Sequence, residues 1–293
     1  MVDPTQHVDR FAGREMHWQL REGTGPTVVL VNGAGMSMEH WDRVVELLPG
    51  RRVLRFDRPG MGGTAFPGQL PGLDEEVASL AALVRETASA DDGGVVLVAH
   101  SMGSFHAEAL ARRHPELVGG IVMVDGSVEE LDARPGWRLG QVATGLVSSL
   151  GSLPLNRLMG QALRLGVWRQ THGPLAHVTT PRLSDVYRDR DSLAMGTAEF
   201  FAYYQQAWDL QLLRRTHPLP RVPVVVLTAA DSTERAWPER QARWARLLRA
   251  PQHRVERSRH LMMIDRPEVV AQAVLSLDGR DEGPGRESCS PGA

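Results

Sequence analysis

The chain has 293 residues, 42% of them apolar and 23% charged, with a formal net charge of -2. This is an ordinary globular composition, long enough for one large α/β domain, and it lacks the basic excess that a nucleic-acid binder needs. No apolar run reaches the ~18–20 residues of a membrane span, and the opening Met1-Val2-Asp3-Pro4 is polar and acidic where a secretory signal is basic and then apolar, so a cytoplasmic protein is expected.

Short β-type runs alternate with runs of helical period, the pattern of a largely parallel sheet flanked by helices. Val8–Phe11 and Met16–Arg21, separated by Gly13, read as an antiparallel opening hairpin. Thr27–Val31 is a continuous apolar run ending at Asn32-Gly33, as in a strand buried on both faces. Trp41, Val44, Val45 and Leu48 share a helical face, Arg52–Phe56 is the next strand, and Val77, Leu80, Ala81 and Val84 form another helical stripe. Val95–Val98 reads as strand, Met102 to Arg113 as helix, and Gly120–Val124 as strand. Near the end Val224–Leu227 and His253–Glu256 are strands, and Glu239–Leu248 and Glu268–Leu277 are helices.

Between Val128 and His217 the rhythm breaks: no strand-like run occurs, only helical stripes such as Leu155, Leu158, Met159 and Ala162. The core is therefore expected over 1–127 and 218–277, with a helical insertion over 128–217. The Gly-, Ser- and Pro-rich end from Asp278 to Ala293 has the composition of a disordered tail.

The sharpest chemical signal is Val95-Val96-Leu97-Val98-Ala99-His100-Ser101-Met102-Gly103-Ser104, where a buried strand runs through a serine into a helix. That is the context of a nucleophile elbow, a turn so tight that only small residues fit two positions either side of the nucleophile. Ala99 and Gly103 meet that need around Ser101. A serine becomes reactive only with a base held by a third group, and the elbow predicts the chain order serine, acid, histidine on loops after late strands. Val224–Leu227 leads to Asp231, the expected acid, and His253–Glu256 leads to His260, the expected base. Asp125, after Gly120–Val124, is the rival acid, its alternative role being a turn with Gly126. Two backbone donors are expected to face the oxyanion: the N–H of Met102 and that of Ala34, in the glycine-bearing loop Asn32-Gly33-Ala34-Gly35-Met36.

No cofactor is expected. All 33 basic residues are arginine, which excludes lysine Schiff bases and P-loop phosphate binding, and the single cysteine, Cys289, lies in the polar tail. No Cys/His cluster offers a metal framework.

These features resemble the α/β-hydrolase superfamily over about residues 14 to 277, with the capped esterase and C–C hydrolase branch most similar. Ala99-His100-Ser101-Met102-Gly103 resembles the family elbow, with alanine where glycine is usual, and Asn32-Gly33 stands where the family mostly has His-Gly. Asp57-Arg58-Pro59-Gly60-Met61-Gly62 is similar to the family's turn after the fourth strand, which supports the site without doing chemistry. His260 followed by Asp265-Arg266-Pro267-Glu268 matches the end of the family pattern. The resemblance implies a mostly parallel eight-stranded sheet flanked by helices, with a helical cap inserted after strand six.

Within that cap Phe201, Tyr204 and Trp208 fall on one helical stripe, and with Trp168 and Met36 they are expected to line a mostly apolar substrate pocket. The same stripe would equally serve to pack the cap on the core. The expected activity is hydrolysis of a carboxylic ester of a hydrophobic small molecule through an acyl-serine. Thioester hydrolysis, acyl transfer, or C–C bond hydrolysis aided by Arg169 or His172 would use the same triad. A non-catalytic ligand receptor is disfavoured because all three triad residue types are present.

Overall fold

The computed structural model describes residues 6–88, 93–133, 165–174, 177 and 180–278. Strands β1 (Gln6–Phe11) and β2 (Arg14–Arg21) form the opening antiparallel hairpin, its turn passing through Gly13 at φ 79°. Strands β3 (Thr24–Val31), β4 (Arg51–Asp57), β5 (Val95–His100), β6 (Val118–Val124), β7 (Val224–Ala229) and β8 (Gln252–Val255) run parallel to one another. The sheet order is β1-β2-β4-β3-β5-β6-β7-β8, with β2 antiparallel to β4. The expected eight-stranded, mostly parallel sheet is therefore present.

The central strands are apolar on both faces because both are covered, and their pleat sorts alternate side chains into two cores. Val29, Val31, Leu97 and Ala99 meet α2 (Leu73–Thr87), α3 (Gly103–Arg113) and α6 (Trp237–Leu247) through Val77, Leu80, Leu110 and Trp244. Val28, Leu30, Val96 and Val98 face the other way, onto α1 (Asp42–Glu46), α7 (Met262–Asp265) and α8 (Pro267–Asp278) through Val44, Met262, Val270 and Val274. The stripe Val77, Leu80, Ala81 and Val84 is buried throughout, as its 3.6-residue spacing requires.

The described residues between β6 and β7 include two helices, α4 (Pro181–Val186) and the long α5 (Arg190–Thr216), joined to the sheet by irregular segments. Thr180 caps α4 by accepting from Leu183 N (3.3 Å), and Asp189 caps α5 by accepting from Ser192 N (2.8 Å). The fully buried Glu108 of α3 accepts from Arg214 of α5 through both carboxylate oxygens (2.8 and 2.7 Å), pinning the C-terminal end of α5 to the core. The expected stripes at Leu155, Leu158, Met159 and Ala162, and all of the tail but Asp278, lie outside the described residues.

The α5 face turned to the core is not the aromatic stripe. Met195, Ala198, Glu199, Ala202, Gln206 and Leu210 are buried, whereas Phe201 and Tyr204 are exposed and Trp208 is half-buried. Small side chains let the helix approach loop backbone closely, and bulky rings on that face would hold it off. Among the described residues no helix is long and apolar enough to cross a membrane.

Candidate active site

Ser101 sits at the junction of β5 and α3 with φ 49°, a left-handed conformation that costs a non-glycine residue of order 1–3 kcal/mol and persists only where its surroundings impose it. Here the Ser101 N–H donates to Val124 O (3.4 Å), and its carbonyl accepts from Ser104 N (3.0 Å), Ser104 Oγ (2.7 Å) and Ser127 N (3.1 Å). Gly103 is needed because a Cβ there would lie 2.6 Å from Asn32 O and 2.7 Å from Val31 O, inside the backbone of β3. Ala99, fully buried, is the small residue on the other side. The elbow geometry read from the small-x-Ser-x-small spacing is present, for the steric reason that predicted it.

His260 follows β8 on a short loop. Its Nδ1–H donates to Asp125 Oδ2 at 2.7 Å. Asp125 is 1% exposed and lies directly after β6 at φ 44°. Its other oxygen, Oδ1, accepts from Ala229 N (2.9 Å) and Trp237 Nε1 (2.7 Å), so the carboxylate is held by three donors. The carboxylate against His260 is thus Asp125, and the expectation of Asp231 is corrected.

Asp231 instead accepts from His172 Nε2 at 2.8 Å and is 41% exposed in its side chain. The physical reason lies in the loop after β7. Ala230 N donates to Val255 O (3.1 Å) and Asp231 N to Ser258 O (3.0 Å), which draws Asp231 to the outer, β8 side of the sheet. β6 lies next to the nucleophile strand β5, so a side chain at its end has the shorter reach. The elements flanking this loop still serve the site, because Ala229 at the end of β7 and Trp237 at the start of α6 are the donors to Asp125 Oδ1.

His100, the residue before Ser101, is buried, and its Nε2–H donates to the His260 carbonyl (2.9 Å) with ring centroids 4.5 Å apart. Burial and the neighbouring His260 hold it well below the ordinary histidine range, so it braces the His260 loop as a neutral ring.

The loop after β3 runs alongside the nucleophile: a Cβ on Gly33 would lie 3.0 Å from Ser101 Cβ and 2.7 Å from His100 Nδ1. Neither the Ala34 N–H nor the Met102 N–H has a hydrogen-bond partner among the described residues. Asn32, where the family mostly has histidine, turns away from the site. Its amide donates to Phe56 O (2.8 Å) and its Oδ1 accepts from Trp41 Nε1 (2.8 Å), so it fixes the end of β3.

Two groups stand behind this loop, one in the turn already noted after the fourth strand and one, Glu199, that the sequence did not mark. Arg58, 1% exposed, donates from Nη1 to Asn32 O (2.7 Å), from Nη2 to Gly33 O (2.6 Å) and from Nε to Glu199 Oε1 (2.5 Å). Glu199, fully buried on α5, also accepts from Gly35 N (2.6 Å) at Oε2. The available signal was a carboxylate between the small and apolar Met195, Ala198 and Ala202 on one α5 face.

Of the residues expected to line a pocket, Met36 is buried at the end of the loop, its Sδ 3.1 Å from the place of a Gly33 Cβ. Trp168, Phe201 and Tyr204 are exposed, at 41%, 41% and 52%. A groove of about 430 Å³ between β8 and α8, lined by Val255, Val269 and Ala273, includes none of the site residues. Among the described residues no cluster of His, Cys, Asp and Glu is arranged to hold a metal.

Comparison with known proteins agrees with this architecture. Residues 28–273 match the model of the alpha/beta hydrolase family. An esterase of Mycobacterium tuberculosis is 36% identical over 125 residues, 42% of this chain and 40% of that protein. A pimeloyl-[acyl-carrier protein] methyl ester esterase of Aeromonas hydrophila is 36% identical over 112 residues, 36% of this chain and 40% of that protein. The chain thus spans about two fifths of the length of each of these two relatives. Among solved structures, Cfl2 of Burkholderia cenocepacia superposes with a TM-score of 0.71 at 21% identity, covering 94% of this chain and 97% of its own. A buried strand leading through a strained serine into a helix, on a sheet of this order and with this match along most of its length, places the chain in the α/β hydrolase family.

Proposed function

We propose that the chain is a serine hydrolase that cleaves a carboxylic ester of a hydrophobic small molecule through an acyl-enzyme on Ser101, with His260 as base and Asp125 as the orienting acid. The observation that carries this reading is the 2.7 Å bond from His260 Nδ1–H to the buried Asp125, beside a serine held at φ 49°. With Nδ1 protonated, the lone pair of His260 is on Nε2, the tautomer that takes a proton from a hydroxyl.

Ser101 Oγ attacks the ester carbonyl as His260 Nε2 takes its proton, and the charge that builds on the carbonyl oxygen is met by the Ala34 and Met102 N–H groups. The ester C–O bond then breaks and His260 returns the proton to the leaving alcohol. Water, deprotonated by His260, attacks the acyl-serine and releases the acid. Asp125 stays ionised throughout and stabilises the imidazolium. The relatives named as esterases support this bond class. Thioesterase, acyltransferase and C–C hydrolase chemistry would use the same groups, and the geometry of the site favours none of the three. His172, a candidate to assist C–C cleavage, is engaged with Asp231.

The test is a panel of p-nitrophenyl esters of graded acyl length, run beside acyl thioesters, on wild type and Ser101→Ala. Loss of turnover and of organophosphonate labelling in the variant is expected. Full activity in Ser101→Ala would overturn the scheme, and turnover of thioesters alone would redirect the bond assignment.

A further inference from the structure

We propose that Arg58 and Glu199 are positioning residues of the oxyanion hole: their buried pair holds the Gly33 carbonyl away from the site, which turns the Ala34 N–H toward the substrate oxygen. This inference rests on the serine-hydrolase reading above.

The geometry follows from the peptide plane. In a trans peptide the carbonyl of one residue and the N–H of the next point in opposite directions, and no cis peptide occurs among the described residues. Fixing the Gly33 carbonyl therefore fixes the Ala34 N–H. Arg58 grips two consecutive carbonyls, Asn32 O and Gly33 O, with the two ends of its guanidinium. Glu199 orients that guanidinium through Nε and takes the next free donor, Gly35 N–H. Asn32 O, Gly33 O and Gly35 N–H are all occupied, and the Ala34 N–H between them is left without a partner among the described residues.

The loop needs such a restraint. Gly33, having no side chain, leaves the peptide between it and Ala34 less restricted than one flanked by two side-chain-bearing residues. Rotation would aim a carbonyl oxygen at the position of the developing oxyanion. The pair also couples the loop to α5, which lies directly on it: a Cβ on Gly196 would come within 3.3 Å of Gly35 Cα, and one on Gly60 within 2.9 Å of Met195 Cβ. A buried ion pair adds little net stability over well-packed apolar residues of the same volume. Charge-assisted, bidentate hydrogen bonds are stronger than neutral ones and geometrically specific, which suits this pair to aiming a backbone donor.

The test compares wild type with Glu199→Gln and Arg58→Lys on a p-nitrophenyl ester. Turnover is expressed per Ser101 labelled at end point by an alkyl fluorophosphonate, so that any unfolded fraction drops out. Loss of one oxyanion donor lowers kcat by about 10²–10³-fold. A fall at the low end of that range is expected here, with KM within about threefold and the pH midpoint of kcat/KM unmoved, since the pair of His260 and Asp125 is untouched. Affinity for a boronic acid that mimics the tetrahedral adduct should fall in step with kcat.

A merely structural pair would lower the labelled fraction and leave kcat per labelled serine intact, and that result overturns the proposal. If neither single variant yields labelled protein, the Arg58→Met/Glu199→Met double variant restores an apolar fit. Wild-type kcat in the double variant would overturn the proposal, and the same fall would support it. Wild-type protein that neither turns over esters nor takes the phosphonate defeats the serine-hydrolase reading itself, an outcome distinct from a labelled, active wild type whose variants are equally fast.

Discussion

Replacing Asp125 by Asn is the most discriminating perturbation of the catalytic reading. Asp125 Oδ1 accepts from Ala229 N at 2.9 Å and Trp237 Nε1 at 2.7 Å. An Asn in its place must keep its single oxygen there, because both neighbours are donors. The amide NH2 is then forced toward His260 Nδ1, now 2.7 Å from a carboxylate oxygen. Two donors cannot face each other, so the imidazole moves its proton to Nε2 and can no longer accept one from Ser101. The wrong tautomer costs on the order of 10⁴ in kcat in triads of this kind, about 5 kcal/mol of transition-state stabilisation. The parallel variant, Asp231→Asn, loosens only a half-exposed bond to His172 and should change kcat/KM by less than about threefold, within the ~0–1 kcal/mol of an exposed pair. The assay is kcat/KM on a short p-nitrophenyl ester, normalised to phosphonate-titrated serine and accompanied by a urea midpoint. A crippled Asp231→Asn beside a near-normal Asp125→Asn would refute the acid assignment made from the geometry.

Three further outcomes follow from the same geometry. Ser101→Ala should lose all ester turnover and all labelling while keeping its urea midpoint. Gly103→Ala would place a methyl 2.6 Å from the Asn32 carbonyl, and overpacking of that kind costs about 1–3 kcal/mol. A lowered urea midpoint together with reduced labelling is expected, and an unchanged midpoint would show that β3 and α3 can part without penalty. Burial, aided by the charge of Arg58, lowers the pKa of His106 from 6.5 to about 4. A histidine depressed in the folded state gives stability that is full above pH 6.5 and lost as pH falls through about 4, a difference of about 3 kcal/mol. Asp57, raised to about 6 mainly by burial, acts in the opposite sense, its contribution present below its ordinary 3.8 and lost as pH rises through 6. The informative quantity is therefore wild type minus His106→Gln, whose stability difference should narrow on acidification from pH 6.5 to 4. A pH-independent difference would refute the burial argument.

Arg58 and Glu199 also bear on where activity can be tuned. Because Glu199 comes from the helix inserted between β6 and β7, substitutions along α5 that tilt it, such as enlarging Gly196 against Gly35, should act on kcat before they act on substrate affinity.

The sheet was legible in the chain because its central strands are short apolar runs closed by Gly, Asn and Pro, and its helices carry buried stripes at 3.6-residue spacing. Ser101 was legible for a local reason: a tight turn between strand and helix admits only small neighbours, and that requirement is written within five consecutive residues. His260 was legible from order and position after the last strand. The acid was not. Asp125 and Asp231 both follow a strand, and nothing in the local pattern distinguishes them. The choice belongs to the strand order, which puts β6 beside the nucleophile strand, and to the backbone bonds after β7 that carry Asp231 outward. The same limit hid the pairing of Arg58 with Glu199. Their partnership joins residues 141 positions apart, and a contact of that range leaves no periodicity or spacing in the sequence, only a shared place once the chain has folded.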